Sequence, residues 1–349
     1  MAYSTINDPS AYFQTAIYTG TGGSRSVTND GNSDLQPDWL WVKRRSATNS
    51  HHLVNSSMGL SGDVALASDL TNAQFATPVS AFNSDGFSFN AGDASVNANS
   101  STYVAWNWKA GGTGSSNTDG SITSTVSANT TAGFSIVSYT GTGSAGTVGH
   151  GLSSAPSIII IKVLTNTAND WVVYHQATGN NQSTFLNANN AVFSNAFINN
   201  TTPTSSVFSV DGSNYSSGSS RNYIAYCFAE KKGYSKFSSY QGSGNSNGPY
   251  IHLGFSPAWV MIKNTEGTDN WNIYDNKRLG YNTNYSFLIA NEPNAENTTT
   301  STANLDLLSS GFKIRSSTGH LNTSGDKYIF MAFAESPFTN SNGVPNNAR

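Results

Sequence analysis

Charge is what this sequence has least of: 17 Lys and Arg with 20 Asp and Glu make up 11% of its 349 residues, against about 25% in ordinary soluble domains. At a net charge of −3 there is no basic face to neutralise a phosphate backbone, which excludes a nucleic-acid binder driven by counterion release. Cysteine is nearly absent as well. A lone Cys227 permits no intrachain disulfide, and within the apolar run Tyr223-Ile-Ala-Tyr-Cys-Phe228 it reads as a buried, inert thiol. The longest purely apolar run, Ile158 to Ile161, is far too short to cross a bilayer as a helix, so no membrane insertion is expected. No window sustains a 3.6-residue period, which removes the amphipathic helix as a building block.

Aromatic side chains and small polar residues are what the sequence does have. The 18 Phe, 16 Tyr and 7 Trp supply large rings able to fill a core. They sit in short runs rich in Val, Ile, Tyr, Phe and Trp, bounded by Gly, Asn, Ser and Pro, which is the signature of strands.

Self-comparison shows four blocks recurring three times in one order. Tyr18-Thr-Gly-Thr-Gly22 returns as Tyr139-Thr-Gly-Thr-Gly143 and, weakened, as Tyr240-Gln-Gly-Ser-Gly244. Pro37-Asp-Trp-Leu-Trp-Val-Lys43 returns as Pro156-Ser-Ile-Ile-Ile-Ile-Lys162 and Pro257-Ala-Trp-Val-Met-Ile-Lys263. The third block is Asp85-Gly-Phe-Ser-Phe89, Ser206-Val-Phe-Ser-Val210 and Ser310-Gly-Phe-Lys-Ile314. Closing runs follow at Tyr103-Val-Ala-Trp-Asn-Trp108, Tyr223 to Phe228 and Tyr328-Ile-Phe-Met-Ala-Phe333.

The expected architecture is therefore all-β: three tandem antiparallel β-sandwich units of jelly-roll or lectin-like kind. The units run over 10–110, 132–231 and 234–338, with an N-terminal segment 1–9, a loose Gly/Ser/Thr-rich linker 111–131 and a loose polar tail 339–349. The closing runs, apolar at nearly every position, are expected to be covered on both faces. The alternating Phe134-Ser-Ile-Val-Ser-Tyr139 is expected at an edge or open face. Lys43, Lys162 and Lys263 each end an apolar run, which suggests a stem packed on the strand and an ammonium in water.

A search for chemistry yields little. Gly141-Thr-Gly-Ser-Ala-Gly146 has the letters of a dinucleotide fingerprint, but no helix follows, so it is expected to be a hairpin turn. The six histidines show no zinc-site spacing, and the adjacent His51 and His52 would point to opposite strand faces, so neither a metal nor another cofactor is expected. Glu230 and Glu335 follow the second and third closing runs, where the first copy has Lys109-Ala110. A paired-carboxylate glycosidase is thereby disfavoured, and no catalytic residue is assigned. Asp170 and Asp269 are expected to accept hydrogen bonds in loops. Binding is easier to support: Trp171, Tyr174, Trp271 and Tyr274 are the candidates for stacking on a receptor, and Tyr12 with Phe13 for docking to a larger particle.

Taken together, the Tyr-Thr-Gly-Thr-Gly, Pro-Xaa-Trp-Val-Xaa-Ile-Lys and Ser-Xaa-Gly-Phe blocks, with Lys327-Tyr-Ile-Phe-Met-Ala-Phe-Ala-Glu-Ser-Pro-Phe338, resemble a family of repeat proteins from marine tailed bacteriophages. The resemblance covers nearly all of 10–338. It implies a non-enzymatic virion surface protein, foremost a tail fibre or appendage contacting the host envelope, and alternatively a capsid decoration or head-fibre protein. Other virion proteins, a host surface glycan or protein, and further copies of the chain, as a trimer, are the partners it implies. Met1 to Pro9 lack the basic region and apolar stretch of a secretory signal, so synthesis in the host cytoplasm is expected. A polysaccharide-degrading enzyme and a secreted lectin are the disfavoured alternatives.

Overall fold

The computed structural model describes residues 4–91, 93–165, 169–195, 197–299 and 303–346. Residues 1–3 of the N-terminal segment and 347–349 of the tail lie outside the described residues. Among those described, the chain is all-β with antiparallel strand pairing; its helical content is one 3-10 turn, Pro9–Ala11.

Three sheets share one strand order. Phe13–Thr19, Thr102–Trp108, Trp39–Arg44 and His52–Asn55 lie side by side in the first. Phe134–Thr140, Asn222–Phe228, Ile158–Val163 and Val172–His175 do so in the second, and Ser235–Gln241, Lys327–Pro337, Phe255–Asn264 and Asn272–Asp275 in the third. Each closing strand is thus central, which is why it is apolar on both faces.

One face of each main sheet packs against a smaller sheet. Arg25–Val27, Phe87–Phe89 and Val79–Phe82 form it in the first copy, with Tyr18, Leu40, Val42, Phe87, Phe89 and Tyr103 between the layers. Gly146–Gly149 with Val207–Val210 does the same in the second copy, over Tyr139, Ile159, Ile161 and Tyr223. In the third, Tyr250–His252, Gly311–Ile314 and Leu305–Leu308 form the small sheet.

The other faces meet one another. Because side chains alternate along a strand, Trp39, Trp41, Trp106 and Trp108 point away from the first small sheet into a core shared with Phe134, Tyr226 and Phe228 of the second copy and Trp259, Met261 and Phe333 of the third. Trp39 stacks on Tyr226 with ring centroids 4.4 Å apart, Phe228 meets Phe333 at 5.8 Å, and Trp108 meets Trp259 edge-on at 5.6 Å. Each copy touches both others, so the three close into a ring.

The Tyr-Thr-Gly-Thr-Gly block has one structural role in all three copies. Its tyrosine stacks on the first tyrosine of the closing strand, directly opposite in register: Tyr18 on Tyr103, Tyr139 on Tyr223 and Tyr240 on Tyr328, with centroids 5.2, 5.2 and 5.0 Å apart. The hydroxyls of Tyr103, Tyr223 and Tyr328 each donate to one backbone carbonyl and accept one backbone N–H of the loop before the closing strand. The glycines then press against that loop. A Cβ on Gly141 would lie 2.4 Å from the carbonyl oxygen of Gly218, and Gly143 has φ +79. The segment is not a hairpin, because the strands it joins belong to different sheets.

Three further expectations are corrected. The 111–131 linker is not loose: Ser115–Asn117 and Ser124–Asn129 extend the second sheet, with Val126 opposite Val137. The alternation Ser-Thr-Val-Ser, too short to be conspicuous among polar residues, is enough to bury Ser124 and Val126 on one face. Consequently Phe134–Thr140 is no edge strand; it is flanked on both sides. The described part of the tail is pinned as well, Asn346 Nδ2 donating to the Ser309 carbonyl at 2.9 Å and the Ser341 N–H to Asn7 Oδ1 at 2.8 Å.

Candidate functional site

The rings nominated for receptor contact lie inside the protein. Trp171 is 0% and Trp271 3% exposed, and Tyr174 and Tyr274 are buried beside them. The indole N–H of Trp171 donates to the carbonyl oxygens of Ala67 and Leu70 in the first copy at 2.9 and 3.2 Å. That of Trp271 donates to Phe185 of the second at 2.9 Å. His51 fills the matching position in the first copy, with Nε2 2.9 Å from the Ile289 carbonyl of the third. The docking pair is corrected too: Phe13 is buried and stacks on Phe333 at 5.4 Å, and half-buried Tyr12 sits edge-on to Tyr234. Trp171, Trp271 and Phe13 thus pack into the core that the copies share, while Tyr174 lies in the core of its own copy and Tyr274 donates its hydroxyl to Ala303 O of its own copy at 2.9 Å.

The repeated lysines follow the same cycle. Far from reaching water, Lys43, Lys162 and Lys263 are buried. Lys162 Nζ donates to Thr71 O of the first copy at 2.7 Å, Lys263 Nζ to Asn189 O of the second at 3.3 Å, and Lys43 Nζ to Pro293 O of the third at 3.1 Å. Second carbonyls come from Asn169, Asn264 (2.7 Å) and Arg44 (2.8 Å). Burial pushes all three ammonium groups down to about 8. A strand-end lysine has no other outlet here, because a loop of the preceding copy closes over it.

A second ring of polar contacts lies four residues after His51, Trp171 and Trp271. Asn55 Nδ2 donates to the Tyr226 hydroxyl at 2.9 Å, His175 Nε2 sits 3.2 Å from the Phe330 carbonyl, and Asp275 Oδ2 accepts from Trp106 Nε1 at 3.0 Å. Burial drives His51 down to about 3 and His175 to about 4, so both are neutral imidazoles. Between the third and first copies, Arg278 bridges Asp275 (2.6 Å) and Glu296 (2.8 Å), and Arg45 holds the other oxygen of Glu296 at 2.9 Å. Sequence reading missed this buried network; its only local trace is the three-residue spacing of Asp275 and Arg278.

The remaining nominated carboxylates are apart and occupied. Glu230 accepts the Phe237 N–H at 3.3 Å, Glu335 the Ser256 hydroxyl at 3.2 Å, Asp170 the Asn187 amide at 2.8 Å and Asp269 the Asn264 amide at 2.9 Å. Burial pushes the Cys227 thiol up, leaving it protonated.

An open pocket lies in the first copy. It has a volume of about 440 Å³ and is walled by His51, His52, Leu70 and Phe75, with Asn49, Asn72 and Gln74 at its mouth and Ser95 beside His52. His52 is held edge-on to Phe75 at 5.4 Å, and its Nε2 lies 2.9 Å from the Thr77 hydroxyl. Burial lowers its ring to about 4. Ser95 Oγ is 3.4 Å from His52 Nδ1 but gives its proton to Asp93 at 2.5 Å, so it is not poised as a nucleophile.

Fold and site together define an all-β protein whose repeated polar motifs serve internal closure. A family profile, DUF7483, a domain of unknown function, matches residues 8–337, and the chain belongs to that family. The match runs through all three sequence copies as one domain, as a ring with a shared core requires. No curated protein matches, and no solved structure matches.

Proposed function

We propose that the protein is a non-enzymatic structural component of a tailed-phage virion, displayed on the particle surface. The observation that carries this reading is the cycle of inter-copy bonds made by Lys43, Lys162 and Lys263. They commit the repeated polar motifs to building a rigid, three-lobed body rather than to a reaction centre. The sequence resemblance to phage repeat proteins gives that body its setting. Its low charge suits exposure to high ionic strength, since aromatic burial and internal hydrogen bonds offer little for salt to screen. On this reading its partners are other virion proteins and the host surface.

Of the two placements considered, tail appendage and capsid decoration, the closed ring favours a cap or tip over a shaft, because three copies folded around one core give no elongated rod. Gold-labelled antibody on intact particles tests both parts. Label at the tail is expected for host contact and label over the head for decoration; particles without label would overturn the reading.

A further inference from the structure

We propose that the pocket between His52, Leu70 and Phe75 in the first copy binds a neutral saccharide residue. The proposal rests on the reading of this protein as one that meets a host surface, and it names the chemistry met there.

Four observations carry it. First, the pocket breaks the repeat: where the first copy has His52, the others have Val172 and Asn272, and here the half-buried ring of Phe75 lines an open wall beside it. Second, its lining is chemically selective. A ring and a leucine offer an apolar face for the C–H side of a pyranose, while Asn49, Asn72, Gln74 and Ser95 offer both donors and acceptors to hydroxyls. Third, no charged side chain lines it, and the two imidazoles are neutral at neutral pH, so an anionic or cationic ligand would be desolvated without a counter-charge. The cavity at the seam of the first and third copies differs on this point, being lined by Asp30, Lys277 and Glu335.

Fourth, the walls are fixed from behind. Leu70 and Thr71 give their carbonyls to Trp171 and Lys162 of the second copy. The His51 ring is held between Trp41 Nε1 at 2.7 Å and the Ile289 carbonyl of the third copy. All three copies therefore shape one pocket, and little ordering remains to oppose binding.

The test is saturation-transfer NMR on the purified full chain with glucose, galactose, mannose and N-acetylglucosamine as probes, and glucuronate as the charged comparison. At least one neutral sugar is expected to receive saturation and glucuronate to receive less. Phe75→Ala should abolish the transfer, and Gln74→Ala should weaken affinity roughly tenfold, the loss of about one hydrogen bond. Should Phe75→Ala fail to fold, Asn72→Asp with Gln74→Glu, at the pocket mouth, replaces it and is expected to abolish transfer by introducing charge. No transfer to any neutral sugar, or transfer unchanged in a folded pocket variant, would overturn the proposal. Gold label on particles is scored separately: label without sugar binding rejects the pocket alone, and sugar binding without label rejects the virion placement alone.

Discussion

Lys162 Nζ and the carbonyl oxygen of Thr71, 91 residues apart in the chain, lie 2.7 Å from each other across the seam between the second and first copies. A buried ammonium that gives its protons to the neighbouring copy is a joint as well as a charge. Lys43 and Lys263 repeat the arrangement around the ring.

Replacing Lys162 by methionine keeps the stem but takes the ammonium donor from two carbonyl oxygens, leaving that of Thr71 with the Asn169 N–H alone. Lys162→Met is expected to destabilise the protein by about 2–4 kcal/mol, read as a fall in the urea midpoint with unchanged slope. A variant as stable as the parent would show that the bond to Thr71 contributes nothing net.

The same lysines set an unusual alkaline pH profile. Their folded values near 8 lie below the ordinary 10.5, so folding there favours proton loss. The resulting penalty, on the order of 3 kcal/mol each, is present in full below pH 8 and is relieved between pH 8 and 10.5. Burial holds Tyr18, Tyr139 and Tyr240 well above 10, so the unfolded chain gains by ionising them above pH 10 and stability falls again. The melting temperature should therefore rise from pH 8 to a maximum near pH 10, a shape that a thermal scan series would reveal or refute.

On the acid side the histidines act in the opposite sense. His51, His52 and His175 are neutral when folded, with values lowered to about 3, 4 and 4. Their contribution is complete above the unfolded value of about 6.5 and is lost as pH falls from there towards 4. Melting should begin to drop below pH 6.5, and His175→Gln should flatten part of that slope.

The two glycines of Tyr139-Thr-Gly-Thr-Gly143 are required for different reasons. Gly141→Ala puts a Cβ 2.4 Å from the Gly218 carbonyl oxygen, while Gly143→Ala meets a φ of +79 and, at 3.0 Å, the Cβ of Ser219. The first should cost several kcal/mol and the second about 1 kcal/mol; equal losses would show that the loop yields freely.

A single copy should not stand alone. Residues 111–231, expressed separately, would expose Phe134, Ile136, Ile160, Tyr226 and Phe228, which the ring buries. The fragment is expected to bind a hydrophobic dye and to melt without cooperativity; a sharp transition would mean the shared core is dispensable.

Much of this fold was legible in the chain. The aromatic closing runs announced central strands, because only a strand covered on both faces is apolar at every position. His51 and His52 sit on opposite sides of their strand, as alternation dictates, one against Trp41 and the other against Phe75. The candidate site was not legible. Trp171 and Trp271 look the same in sequence whether they face solvent or a neighbour, and the partners of Lys162 and Trp171 lie about a hundred residues away.

The all-β class and the repeated blocks, with their tyrosines at matching places, can be read directly from the chain, since short apolar runs and recurring motifs are local properties. That the copies share one core, that the lysines are buried joints and that the tyrosines stack in pairs came from the folded molecule alone. Those outcomes depend on which sheet faces meet, and apolar burial, being non-directional, does not encode its partner in local sequence.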